Sequence, residues 1–196
     1  MYYLLDAVPG PVRWLGKDHQ QTYWRQHNIW WDNGAPFQEG LIPAPLKFDL
    51  QPIKGTWDHG PHMPQYLRGE RMPIFRDDVV AAMKAAGVSN IDTYEVEITD
   101  PESGKVYTNY KAVNIIGLIA AADMSESKAE VHDNIPLVDV SFDTLVLDES
   151  KTRDTLIFRM AENNSSILVH EKLKKSLGAQ GIKNLKFHEL ETVGIL

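Results

Sequence analysis

Cysteine is absent from the 196 residues. That excludes disulfide staples, thiolate zinc sites and a cysteine nucleophile, and it suits a reducing compartment. Long apolar runs are lacking as well. The longest, residues 115–122, has the length of a core strand and falls far short of the roughly 18–20 residues that cross a bilayer, so no membrane partner is expected. Positive charge is in deficit, with 20 Lys and Arg against 27 Asp and Glu and a net charge of −7. Nucleic acid is therefore not an expected direct partner, because its phosphates call for a basic face. The opening Met1-Tyr2-Tyr3-Leu4-Leu5-Asp6 has no basic segment, and Asp6 and Pro9 break its apolar stretch. It does not read as a secretion signal, and the expected location is the cytoplasm. No glycine-rich phosphate loop and no GxSxG elbow occurs, and no pattern marks Ser165 or Ser166 as part of a triad.

What is present points to a folded chain. Hydrophobic residues make up 43% of the sequence, too many for a disordered one. There is no internal repeat. One domain over residues 1–196 is expected, with a change of texture near residue 72. Residues 1–71 hold all five tryptophans and most of the prolines. Their periodicity is poor, and Pro-Gly-Pro at 9–11, Asn33-Gly34 and Pro61 break them. This reads as an irregular, loop-rich N-terminal portion in which Tyr2-Tyr3-Leu4-Leu5 and Pro45-Leu46-Lys47-Phe48-Asp49-Leu50 have strand character.

Residues 72–196 form the regular part. Asp77 and Asp78 suit the first turn of a helix, where their charge meets the positive end of the dipole; Val79, Val80, Met83 and Ala86 give it one buried face, and Gly87 ends it. Residues 94–98 alternate as a strand, 101–104 make a turn, and 106–119 return as one long strand or two, so 94–116 reads as a hairpin. Further strands are expected at 142–147, 155–160, 167–169 and 185–190, with a short helix over 170–177 stopped by Gly178. Loops too short for repeated βαβ crossovers make the class α+β with a mainly antiparallel sheet and two or more short helices.

Candidate functional residues are few. Asp58-His59-Gly60-Pro61-His62 is the one local metal-like cluster, but Gly60 and Pro61 oppose a helix and no third ligand is near, so a structural loop outweighs a metal site at His59 and His62. No catalytic residue, cofactor or metal is assigned. The tryptophans Trp30, Trp31 and Trp57 either fill a core beneath loops or anchor a partner, as tryptophan does at interfaces. Adjacent residues on an extended chain point opposite ways, so one of Trp30 and Trp31 is expected to face outward. In Phe158-Arg159-Met160, Arg159 is either a solvent-facing strand residue or a buried cation paired with a carboxylate, with Glu171 as a partner within reach.

Several elements in order carry a resemblance. Pro73-Ile74-Phe75 precedes a helix; Tyr107, Tyr110 and Asn114 share a strand; Asp123, Ser127 and Leu147-Asp148 follow. Then come Ile157-Phe158-Arg159-Met160, Val169-His170-Glu171 with Leu173-Lys174, and Gly181-Ile182 before Phe187. Over about residues 70–190 the chain resembles a family of bacterial immunity proteins from polymorphic toxin systems, first catalogued as a domain of unknown function. His170 stands where that family often has serine, at a helix N-cap. The resemblance implies a non-catalytic protein that binds and blocks a cognate secreted toxin or effector. The irregular, Trp-bearing first third, which the resemblance does not cover, is where specificity is expected. The acidic net charge would speed capture of a basic toxin. A small metal-dependent hydrolase using His59 and His62, and an effector-binding accessory protein of a secretion system, are the alternatives. The oligomeric state is left open.

Overall fold

A computed structural model describes residues 1–8, 10–69, 71–131 and 140–191. The chain runs β1 (Tyr2–Ala7), β2 (Leu15–Asp18), α1 (Gln21–Gln26), β3 (Leu46–Leu50), β4 (Tyr66–Arg68), β5 (Pro73–Arg76), α2 (Asp77–Ala85) and β6 (Ile91–Thr99). It continues with β7 (Val106–Tyr107), β8 (Tyr110–Ile115), β9 (Leu118–Ile119), β10 (Lys128–Val131), β11 (Val140–Thr144), β12 (Ile157–Met160), β13 (Ile167–His170), α3 (Glu171–Ala179) and β14 (Leu185–Glu189). The class is α+β and mainly antiparallel, as expected.

One sheet has the order β14-β1-β13-β12-β9, and a larger one runs β2-β3-β6-β8-β5-β4 with β7 added on β6. A two-stranded ribbon joins β10 to β11. Among the described strands, β3 pairs with β6 and β9 with β12 in parallel, and the other strand pairs are antiparallel. The first 71 residues are less irregular than their pattern suggests. They supply β1, in the interior of the five-stranded sheet, and β2, β3 and β4 of the larger one. They also supply α1, a helix with no wholly buried residue and hence no apolar stripe to announce it. Pro9, one of the expected breaks, lies outside the described residues.

Both sheets are covered on both faces. Tyr66, Phe75, Val113, Ile115, Ile157, Ile167 and Val169 meet the buried sides of α2 and α3 in a shared core. Leu46, Phe48, Leu67, Ile74, Val96, Ile98 and Ala112 face the opposite way, beneath Ile29, Trp31 and Ile42. Tyr2, Phe158, Met160 and Leu168 form a third cluster with Phe142 and Leu145. Hence successive residues such as Ile74-Phe75 or Ile167-Leu168-Val169 are all buried, and the strands read as apolar runs. The nine-residue α2 is too short to be stable alone; burying Val79, Val80 and Met83 contributes roughly 1.5–3 kcal/mol apiece.

Two expectations are corrected. The run 106–119 is three strands, because at Gly117 (φ 127°) the chain leaves the larger sheet and β9 joins the smaller one beside β12. The last helix passes through Gly178 and stops before Gly181, which carries the left-handed φ of 80°. No helix among the described residues is long and apolar enough to cross a membrane.

His170 caps α3, its Nδ1 accepting from the Lys172 N–H at 3.1 Å. Burial, reinforced by the nearby N-terminal ammonium, holds its pKa below the usual 6.5. Only the neutral ring can accept that hydrogen bond. The unfolded chain therefore binds this proton more readily, and stability present above pH 6.5 is lost as pH falls from there through the lowered folded value. We expect the urea midpoint to drop between pH 7.5 and 5.5, and His170→Ser, which keeps a capping oxygen and titrates nothing, to flatten that drop; an unchanged slope would exonerate His170. Strands from before and after residue 72 are bonded together in both sheets. Tryptophan fluorescence, reporting residues 14–57, and far-UV circular dichroism should accordingly trace one coincident urea transition. Two separated transitions would mean that the N-terminal portion melts by itself.

Candidate functional site

The Trp-bearing segment is built around one buried indole. Trp31 is 4% exposed and makes edge contacts with Trp24, Phe37 and Tyr94 at centroid distances of 5.8, 5.0 and 5.4 Å. Trp24 on α1 is fixed by Asp18, whose Oδ2 accepts from the indole N–H at 2.7 Å. Trp30 is 49% exposed, so one of the adjacent pair faces outward as expected. Its N–H donates to Asn28 Oδ1 at 2.8 Å, and the Arg71 guanidinium lies 5.6 Å from its ring centroid. The segment is pinned at Gly34. There φ is 66°, the carbonyl accepts from Gly117 N at 2.9 Å, and a Cβ would stand 2.9 Å from Leu118, so only glycine fits.

Two clefts open on this part of the molecule. The first, about 420 Å³, is floored by Leu15, Phe48 and Met72, walled by Trp24 and Trp30, and rimmed by Arg25, Arg68 and Arg71. The second, about 400 Å³, lies beside it, sharing Leu15 and Arg68, and reaches Trp14, Trp57 and Asp58. Trp57 is the most exposed large apolar residue among the described ones, at 78%. Of the three tryptophans singled out from the sequence, Trp30 and Trp57 line different clefts with their rings outward, and Trp31 supports the first cleft from beneath.

His59 is fully buried, its ring stacked on Trp14 at 4.8 Å and 7°, while His62 is exposed. Both flank Val12 in backbone bridges. Gly60 lies against Pro11, where a Cβ would come within 2.6 Å. The loop is thus a packing element, and no three His, Cys, Asp or Glu side chains among the described residues are grouped to hold a metal.

Arg159 is buried, one of its two expected placements, but its partner is not Glu171, which pairs with Lys175 at 2.7 Å. Its Nη1 donates to the Asn164 carbonyl and its Nη2 to the Arg71 carbonyl, each at 2.8 Å. Burial lowers its pKa, and the carboxylate of Asp32 opposes that. Asp32, itself buried, accepts from Arg71 Nη1 at 3.0 Å. The rim of the first cleft is thereby tied to the core.

The arginine rim went unread in the sequence. A signal was present in the charge distribution, which is not evenly spread. Residues 1–71 carry seven basic and seven acidic side chains, so the whole net charge of −7 falls after them.

A family model described as an immunity protein family (Imm11) matches residues 92–192. No curated protein matches the chain. All the residues lining the two clefts precede the matched segment. The burial difference sets the stability test: Trp31→Ala should cost about 3–5 kcal/mol in urea unfolding, as large core truncations do, and Trp57→Ala within about 0.5 kcal/mol. Equal effects would contradict the assignment of Trp31 as support and Trp57 as surface.

Proposed function

The chain belongs to the Imm11 immunity protein family, and from that premise we propose that it neutralises one cognate toxin by binding it directly, without catalysis, through the face that holds the two clefts. The observation that carries this reading is the division of labour along the chain. The matched segment supplies strands β8, β12 and β13, helix α3 and about half of the buried core. The preceding residues supply the clefts and the exposed Trp30 and Trp57. Large exposed aromatics beside concave, partly apolar surface are the usual anchors of a protein interface. A family scaffold with a recognition face of its own is the arrangement that specificity toward one toxin requires.

Neutralisation by occupancy needs no chemistry from the inhibitor. Several of the buried polar side chains are engaged in structure. Arg13 pairs with Asp100 at 3.0 Å and Glu102 at 3.3 Å, His59 stacks on Trp14, and Arg159 holds two carbonyls. The reading places the protein in the cytoplasm of the cell it protects, bound to its toxin as one folded unit.

The test is rescue. The toxin domain encoded next to this chain is expressed in a sensitive host with and without the protein, and the pair is recovered by pull-down. Growth restored together with a stable complex is the expected result. With Trp30→Ala/Trp57→Ala, folded as judged by circular dichroism, affinity should fall by at least about 2 kcal/mol, roughly thirtyfold, as for paired hot-spot residues. Failure of the wild-type protein to rescue or bind would overturn the proposal, and full binding by the double variant would move the interface elsewhere.

A further inference from the structure

We infer that the first cleft takes an acidic, extended segment of the protein partner, a carboxylate side chain seated among Arg25, Arg68 and Arg71 with an apolar neighbour against Trp24 and Trp30. This rests on the immunity reading and names the chemistry of what is bound. The molecule is acidic overall, yet among the described residues three arginines and one carboxylate, Asp18, line this cleft. Asp18 is already spent, with Oδ1 accepting from Gln20 N and Oδ2 from the Trp24 indole, both at 2.7 Å.

The arginines are incompletely used. Arg25 is exposed, and its guanidinium has no acceptor among the described residues. Arg68 is 62% exposed in its side chain and reaches Asp6 only at 3.7 Å. Arg71 spends Nη1 on Asp32 and keeps the rest of its fork, 55% of the side chain being exposed. The lining thus offers cationic donors in excess of acceptors, and a guanidinium fork fits a carboxylate bidentately. The floor is apolar, which calls for a side chain beside the charge.

The occupant is a peptide segment rather than a small anion, because the cleft, at about 420 Å³ and with both apolar and cationic lining, far exceeds one carboxylate, and a second cleft that shares Leu15 and Arg68 lies beside it. It is protein rather than nucleic acid, because the charge of −7 carried by the remainder of the chain repels a phosphate backbone, whereas one acidic segment on a partner is tolerated.

The experiment is an NMR titration of the full chain, following the five tryptophan indole N–H signals assigned by single Trp→Phe variants. The probes are a capped peptide Asp-Leu-Glu-Leu-Asp, its counterpart with lysine at the acidic positions, and a single-stranded oligothymidylate. The acidic peptide is expected to move the Trp24 and Trp30 signals while the lysine peptide and the oligonucleotide do not. Arg25→Glu/Arg68→Glu should weaken the response at least about tenfold, with the milder Arg25→Gln/Arg68→Gln, which also lacks the charge, weakening it in the same direction. Equal response to the lysine peptide, response to the oligonucleotide, silence toward all three, or a response that survives both double variants would each overturn the inference. Toxin rescue by the same variants separates the two claims. If the wild-type protein rescues and the acidic peptide is silent, the cleft chemistry falls and the immunity reading stands. If the peptide binds as described and rescue fails, the reverse holds.

Discussion

The guanidinium of Arg159 is the constraint on which the rest of the arrangement hangs. It sits fully buried on a strand of the five-stranded sheet and reaches across to a carbonyl of the loop between β4 and β5 in the larger sheet. Leaving a buried cation without partners is strongly unfavourable, so the loop at Arg71 and the turn at Asn164 are held where their carbonyls meet it. The Asp32 carboxylate balances the charge and holds the Arg71 side chain, which stands over Trp30. A core interaction between sheets is thus relayed through two ion-paired residues to the rim of a surface cleft.

Around that tie the two sheets solve a covering problem together. Much of both faces of each sheet is buried, since α2 and α3 fill the space between the sheets, residues 29–42 cover the outer side of the larger one, and β11 and Leu145 that of the smaller. Burial on both faces explains why the first third of the chain, poor in pattern, is nonetheless indispensable to the packing. Trp31 and Ile42 roof a sheet whose strands β6 and β8 come from the regular part. The aromatic load of residues 1–71 accordingly divides into a supporting layer and an exposed remnant, and that remnant is what stands beside the clefts.

The immunity reading and the charge pattern fit together. The portion matching the family carries the acidic excess, which acts at long range and is screened over about 8–10 Å at ordinary salt. The cleft portion is neutral in sum and basic at one place, which acts only on contact. Long-range attraction and short-range selection are therefore assigned to different residues of one surface, as electrostatic complementarity in protein recognition commonly requires.

The local elements were legible in the sequence where periodicity and end signals agree. The apolar face of α2 behind Asp77 and Asp78, the hairpin of β6 with β8, and the N-cap at His170 depend on neighbours a few residues away. That one of Trp30 and Trp31 faces outward was legible too, though which one is buried was not. What only the tertiary structure decided depends on residues distant in sequence. The partners of Arg159 are two main-chain carbonyls, one of them 88 positions away, rather than a nearby glutamate, and a carbonyl has no residue type to be recognised by. The crossing of the chain between sheets at Gly117, and the gathering of Arg25, Arg68 and Arg71 around one hollow, are likewise set by how two sheets close on each other. Periodicity reports which face of an element is apolar, and it contains nothing about what that face will meet.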